Sequence, residues 1–217
     1  MESWDMVVNF FRQGGVFLYP IALIWVVGIV IAIERFIELT RAAHGNRRLW
    51  DELQPMFESG RFREAMTRVT NSDSALGHVM RYGMSRISSA RRREDIEKAM
   101  EESLIEVIPK LEKRTHYLAT LANIGMLMGL LGTVMGIIKA FNAIYEGGMG
   151  DPRLLSGGIS EALITTAAGL SVAIHSYIAY RYLRGRVDRI VLQMERDVVR
   201  FADALNDRAE QSRGDEA

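Results

Sequence analysis

An all-α integral membrane protein with three transmembrane helices, the second and third extended into the cytoplasm as long helices, is the fold class this sequence predicts. Three observations predict it. Apolar residues make up 48% of the 217 positions and gather into blocks at Val16–Ile33, Leu118–Ala140 and Ile159–Tyr180. Each block is close to the ~20 residues that a helix needs to cross ~30 Å of hydrocarbon. The 27 basic and 27 acidic residues cancel overall but are unevenly placed. Between the blocks, apolar positions recur at helical spacing, with no strand-like alternation of useful length and no internal repeat.

Taken in order, residues 1–15 form a short N-terminal segment with Arg12 as its single cation, followed by a first span at 16–38. No basic stretch precedes this span, and Glu34-Arg35 follow it without a small-residue cleavage site, so it reads as a retained helix and not a cleaved leader. The region 39–117 is rich in Lys and Arg, the second span covers 118–141, and the loop 142–158 carries only Arg153. A third span at 159–182 leads into a tail, 183–217, that begins with Arg184, Arg186 and Arg189. Cations stay on the cytoplasmic side, which puts the N-terminus and the 142–158 loop in the periplasm and the C-terminus in the cytoplasm.

The region 39–117 is too regular for a linker. Leu49, Leu53, Met56 and Phe57 form one helical stripe, and Phe62, Ala65, Met66 and Val69 form another, punctuated by Gly60 and Asn71-Ser72-Asp73. Ser74 can cap a third helix carrying Leu76, Val79, Met80 and Met84, and Ser88-Ser89 offer a further stop and start. Ile96, Met100, Leu104, Val107 and Leu111 continue the helical pattern toward the second span, which predicts one unbroken helix, kinked at Pro109. In the tail, Val187, Val191, Met194, Val198, Phe201 and Leu205 form a stripe on a helix that prolongs the third span, with a polar, frayed end expected after Asn206.

Within the second span, Gly125, Gly129, Gly132 and Gly136 fall along one side. Small residues there let backbones approach in lipid, which serves plain helix packing as well as any function. Thr133 lies beside this ridge, and a lone membrane threonine ordinarily returns its hydroxyl to the carbonyl four residues earlier. In the third span, Glu161 is a functional candidate because a carboxylate in apolar surroundings is costly. Lys139 is at similar depth, so the pair could serve ion entry or simply neutralise each other. Helical geometry sets Thr165 on the Glu161 side and Thr166 nearly opposite, giving the helix two polar faces. His175 shares the Glu161 side about four turns further in, where it could relay protons or satisfy a backbone carbonyl.

No acidic residue lies in the middle of any span, so protons crossing here would need a carboxylate from another polypeptide. There is no cysteine, and His44, His78, His116 and His175 are scattered. These features predict no metal site, no cofactor, no nucleic-acid partner and no enzyme.

Two stretches resemble the ExbB/TolQ/MotA proton-channel family: Gly129-Leu130-Leu131-Gly132-Thr133-Val134-Met135-Gly136-Ile137, and Gly158-Ile159-Ser160-Glu161-Ala162-Leu163-Ile164-Thr165-Thr166-Ala167-Ala168-Gly169-Leu170. Ile108-Pro109-Lys110-Leu111-Glu112 is similar to the family's approach to its second span, and the likeness covers nearly the whole chain. The resemblance implies a homopentamer in the bacterial inner membrane around a dimer of an ExbD- or TolR-like single-span protein with one membrane aspartate. It also implies a TonB-like protein as a further partner. Thr133 and Thr166 match the family's pore-lining threonines and Glu161 its acidic residue near the outer mouth. No family role carries over to Lys139 or His175, the latter standing where many relatives have proline. Three spans, a very short N-terminal segment and no large outer domain favour an ExbB-like branch. The expectation is a motor subunit that spends the proton motive force on outer-membrane processes such as TonB-dependent import. The alternatives are a TolQ-like envelope-maintenance subunit and a non-transporting membrane scaffold; a pump permease ranks last, because the chain has no phosphate-binding glycine loop.

Overall fold

The computed structural model describes residues 12–86, 93–147 and 152–214. Six α-helices are present among them: α1 (Leu18–Glu58), α2 (Phe62–Thr70), α3 (Ala75–Arg86), α4 (Arg93–Glu112), α5 (Thr115–Gly147) and α6 (Pro152–Gly214). Two compact units divide the chain. The first comprises residues up to Arg35 together with Arg114–Leu183, and the second Phe36–Lys113 together with Arg184 onward.

In the first unit, α5 and the opening half of α6 pack with the opening half of α1. All three belong to helices long and apolar enough to cross a membrane. Their inner faces are narrow: Leu18, Ile21, Leu118, Ala122, Ala140, Ala162 and Val172 are buried. Large apolar side chains such as Leu23, Val30, Leu127, Leu130, Leu163 and Ile178 point outward and are more than half exposed. A water-soluble protein avoids such a surface, whereas hydrocarbon, with every backbone group bonded inside a helix, accepts it.

The second unit is a helical bundle with an ordinary core. Leu49, Leu53, Ala65, Val69, Leu76, Val79, Met80, Met100, Leu104, Met194, Val198 and Phe201 are all buried, so the stripes of α1–α4 and the tail face one another. Phe57 meets Phe201 edge-on, with ring centres 5.6 Å apart. Gly60, at φ +70°, ends α1 in a Schellman turn, the Arg61 N–H reaching the Met56 carbonyl at 2.8 Å and the Gly60 N–H that of Phe57 at 3.1 Å. Ser74 caps α3 as its position predicts, its Oγ accepting the Gly77 N–H at 3.0 Å. Glu52 accepts from Arg68 and from Arg48. The hydrogen bond from Arg68 holds its carboxyl below the usual range.

Three expectations are corrected. The approach to the second span is broken: α4 stops at Glu112, and Arg114 takes the left-handed conformation at φ +62° before α5 begins at Thr115. Pro109 sits inside α4, where the hydrogen bond it cannot donate weakens the last turn. Arg114 pairs with Glu34 within the first unit. The 142–158 loop is mostly helix, since α5 runs through Gly147 and α6 starts at Pro152, a residue suited to a first helical turn. The tail does not fray after Asn206: α6 continues to Gly214, through good helix formers such as Ala209, Glu210 and Gln211. The Ser88-Ser89 break lies outside the described residues.

Candidate functional site: a polar seam between α5 and α6

Small residues set the distance between α5 and α6. A Cβ added to Gly129 would stand 3.0 Å from both the Gly169 Cα and the Thr165 carbonyl oxygen. One on Gly136 would meet the Gly158 carbonyl oxygen and the Ala162 Cβ at 2.9 Å, and one on Gly125 the Val172 side chain at 3.0 Å. The predicted ridge of Gly125, Gly129, Gly132 and Gly136 is therefore an interhelical contact line. Its counterpart on α6, Gly158, Ala162, Thr165, Gly169 and Val172, was not picked out in the sequence. Those residues recur at steps of three and four, so the spacing test that found the α5 ridge finds them too.

Contact this close brings the threonines together. Thr133 and Thr166 share a hydrogen bond between their hydroxyls. Thr133 Oγ1 also reaches the Gly129 carbonyl at 3.3 Å and the Ala162 carbonyl at 3.2 Å, and Thr166 Oγ1 reaches the Gly129 carbonyl at 3.3 Å. Both residues are half-buried, so the hydroxyl pair is partly accessible at the edge of the seam. Thr165 is fully buried, its hydroxyl donating within α6 to the Glu161 and Ala162 carbonyls at 3.0 and 2.9 Å, and it fills the notch at Gly132. The expected two polar faces are thus one: Thr165 and Thr166 both turn toward α5. Adjacent residues diverge by 100° on a helix, but a neighbour whose own surface is glycine comes near enough to touch both.

Toward the outer end, Lys139 Nζ donates to Glu161 Oε1 at 2.6 Å, the partner its depth suggested. The carboxylate is the more enclosed member, at 17% side-chain exposure against 49% for the lysine. Gly15, at φ +62°, lies directly against it, in the space where any side chain would collide with the carboxylate. Nothing in the sequence pattern pointed to Gly15. At the other end, His175 is exposed; its Nδ1 lies 2.6 Å from the Ser171 carbonyl, and its ring meets Trp25 edge-on with centres 6.3 Å apart. That is the ordinary satisfied-histidine arrangement. His175 and the Thr133–Thr166 pair are not linked by any hydrogen bond among the described residues.

Three apolar helices with hydroxyls, a framed carboxylate and no acid beside the threonines define a multi-pass membrane protein with a polar seam that lacks a mid-span carboxylate of its own. The chain belongs to the MotA/TolQ/ExbB proton channel family, whose profile matches residues 71–196, more than half its length. It is 30% identical to a putative biopolymer transport protein ExbB homolog of Methanothermobacter thermautotrophicus over 199 residues, covering 88% of this chain and 70% of that protein. It is 31% identical to the biopolymer transport protein ExbB of Neisseria meningitidis over 194 residues, 84% of each. It is 40% identical to the Tol-Pal system protein TolQ of Haemophilus influenzae over 106 residues, 49% of this chain and 45% of that one. It is accordingly a proton-channel subunit of the ExbB/TolQ kind and a multi-pass protein of the inner membrane.

Proposed function

We propose that this chain is the ring-forming subunit of an inner-membrane motor that uses the proton motive force to energise an outer-membrane process, with TonB-dependent import as the leading case. The observation that carries the reading is the pair of Thr133 and Thr166 hydroxyls meeting between α5 and α6. Several copies, five on the family's pattern, would surround a dimer of an ExbD/TolR-like single-span partner. That partner would bring the aspartate that the spans lack and engage a TonB-like protein. The N-terminus would be periplasmic and the C-terminus cytoplasmic, a reading that the distribution of Lys and Arg supports.

Protons would enter near Glu161, which Lys139 holds in place and partly neutralises, and would then protonate the partner's aspartate beside the threonines. A hydroxyl both donates and accepts, so Thr133 and Thr166 can bond the aspartate in its charged and its neutral form. Neutralisation would release the aspartate from the hydroxyls and let the partner step relative to the ring. Each proton moving inward supplies ~2.3 kcal/mol per 100 mV, several times thermal energy. Thr165, buried and bonded within its own helix, is assigned to packing, and His175 to its carbonyl. No bond of a substrate is made or broken in this cycle, so the activity is transport and not enzymatic.

The test is Thr133→Val and Thr166→Val. Valine keeps the shape and removes the hydroxyl, so the ring should assemble while proton flux in proteoliposomes and coupled work are lost. Full activity in both variants would overturn the assignment and favour the scaffold. The 40% identity to TolQ over half the chain supports a second reading, a subunit of an envelope-maintaining Tol-Pal-type system. Co-purification separates the two, because a TonB-like protein should travel with one and be absent from the other.

A further inference from the structure

We propose that the second unit carries a binding site for a phosphate-class anion, in the cleft between α1 beyond Phe36 and the stretch of α6 that follows Leu183. The cleft encloses about 260 Å³, and its polar lining is Asn46, Arg47, Arg186, Arg189 and Gln193. Three arginines and two amide side chains therefore line one space, and no carboxylate is among its lining residues. The arrangement follows from spacing. Arg186, Arg189 and Gln193 succeed each other at steps of three and four on one face of α6, and on α1 Asn46 and Arg47 stand three and four residues after Ala43, which lines the cleft with them.

Asn46, in the wall of the cleft, adds a donor without a partner. Its side chain is 2% exposed, and its Oδ1 accepts the Leu76 N–H at 3.0 Å at the start of α3. Only the oxygen can accept that bond, so the orientation of the amide is fixed and the NH₂ is directed elsewhere. Its Nδ2 is buried and has no hydrogen-bond partner. A native protein rarely leaves a buried donor unmet, and on this proposal an oxygen of the occupant, reached by a small shift of the cleft wall, supplies the acceptor. The surrounding charges say what kind of molecule. Arg186 is stacked on the Phe36 ring, 5.0 Å from its centre, which fixes the position of its charge. Arg47 makes a long, exposed contact of 3.7 Å with Asp51, weak enough to yield to a better acceptor. Arg189 has no acidic partner among the described residues.

A carboxylate offers two oxygens in one plane. A phosphate offers its free oxygens in tetrahedral array, with a full negative charge even as the diester of a lipid headgroup, which suits donors arriving from two helices and guanidinium forks in particular. The phosphate could belong to a lipid headgroup, since both cleft-lining stretches follow directly in sequence on apolar spans, or to a soluble compound.

The test uses the full-length chain in its native oligomeric state, reconstituted in two kinds of nanodisc. In discs of phosphatidylcholine alone, inorganic pyrophosphate is titrated and binding followed by calorimetry. In discs that also contain phosphatidylglycerol, native mass spectrometry counts the anionic lipid retained per protomer. Saturable binding of pyrophosphate supports a soluble ligand, and one retained phosphatidylglycerol per protomer supports a headgroup. Either signal should weaken about a hundredfold in Arg47→Gln/Arg189→Gln, roughly tenfold for each charge-assisted bond lost. The Lys/Lys variant should weaken it less, and Arg63→Gln, which removes an equal charge away from the cleft, should leave it unchanged. Because Arg47 and Arg189 are exposed, the double variant should melt with the parent. Absence of specific binding in both discs, or equal binding by the double variant, would overturn the site and would leave the proton-channel reading untouched.

Discussion

Replacing Gly129 with alanine tests whether the α5–α6 seam is as tight as the placement of its hydroxyls requires. The new methyl would lie 3.0 Å from the Gly169 Cα and from the Thr165 carbonyl oxygen, and 3.4 Å from the Thr166 Cα. All three are backbone atoms, which cannot swing aside as a side chain would. Carbon contacts are comfortable from ~3.5 Å, so the helices have to part by roughly half an ångström, enough to forfeit about a quarter of the local dispersion energy. Overpacking of this kind costs ~1–3 kcal/mol, and the upper part of that range applies because nothing nearby can yield. Alanine returns ~0.5–1 kcal/mol by stiffening the unfolded chain, which leaves a net loss of about 1–2 kcal/mol. The same displacement draws the Thr166 hydroxyl away from the Gly129 carbonyl, now 3.3 Å distant, and away from Thr133. Detergent-resistance melts should show the loss of stability, and proteoliposomes a reduced proton flux. Gly157→Ala is the control, because an added Cβ there meets nothing within 4 Å. A Gly129→Ala protein with unchanged melting and flux would refute the reasoning, since a seam that accepts a methyl is too wide for the hydroxyl pair.

Other predictions concern charge. Glu161→Ala should lower proton flux, while Lys139→Gln alone should lower it less. If the double variant recovers the parental flux, the two residues only neutralise each other and the entry role is wrong. Asp197, 1% exposed in the second unit, has its carboxyl pushed up to about 6, chiefly by burial and against the pull of Arg200. Its folded pKa thus exceeds the unfolded value. The stability it contributes is complete below about pH 4 and is lost as pH rises through 6. Asp197→Asn should accordingly stabilise the protein near neutral pH by on the order of 2–3 kcal/mol and flatten its melting temperature between about pH 4 and 7. An unchanged pH profile in the variant would show that this carboxylate is solvated or paired.

Much of the fold was legible because lipid and water sort residues by composition. The blocks at Val16–Ile33, Leu118–Ala140 and Ile159–Tyr180 announce helices, since no other unclosed backbone satisfies its own hydrogen bonds in hydrocarbon. The stripes of the second unit were equally readable from period alone, down to the cap at Ser74. Breaks were harder. A residue like Arg114 gives no local sign that it will adopt a left-handed conformation, a choice that depends on what its neighbours pack against and on the pairing with Glu34. The Lys139–Glu161 pair was foreseeable from depth. Gly15 against that carboxylate was not, because no periodicity links position 15 to position 161.

The amino-acid sequence by itself determined three apolar helices, an uneven placement of the cations, a glycine ridge, and spans that hold hydroxyls but no central acid. Hydropathy, charge and spacing are properties of each segment alone, so they can be read without knowing its neighbours. Only the tertiary structure decided that Thr165 and Thr166 turn the same way, that Gly158 and Gly169 complete the ridge, and that Asn46 keeps an unmet donor beside three arginines. Those facts depend on how near two distant backbones approach, a distance set jointly by the small residues of both helices.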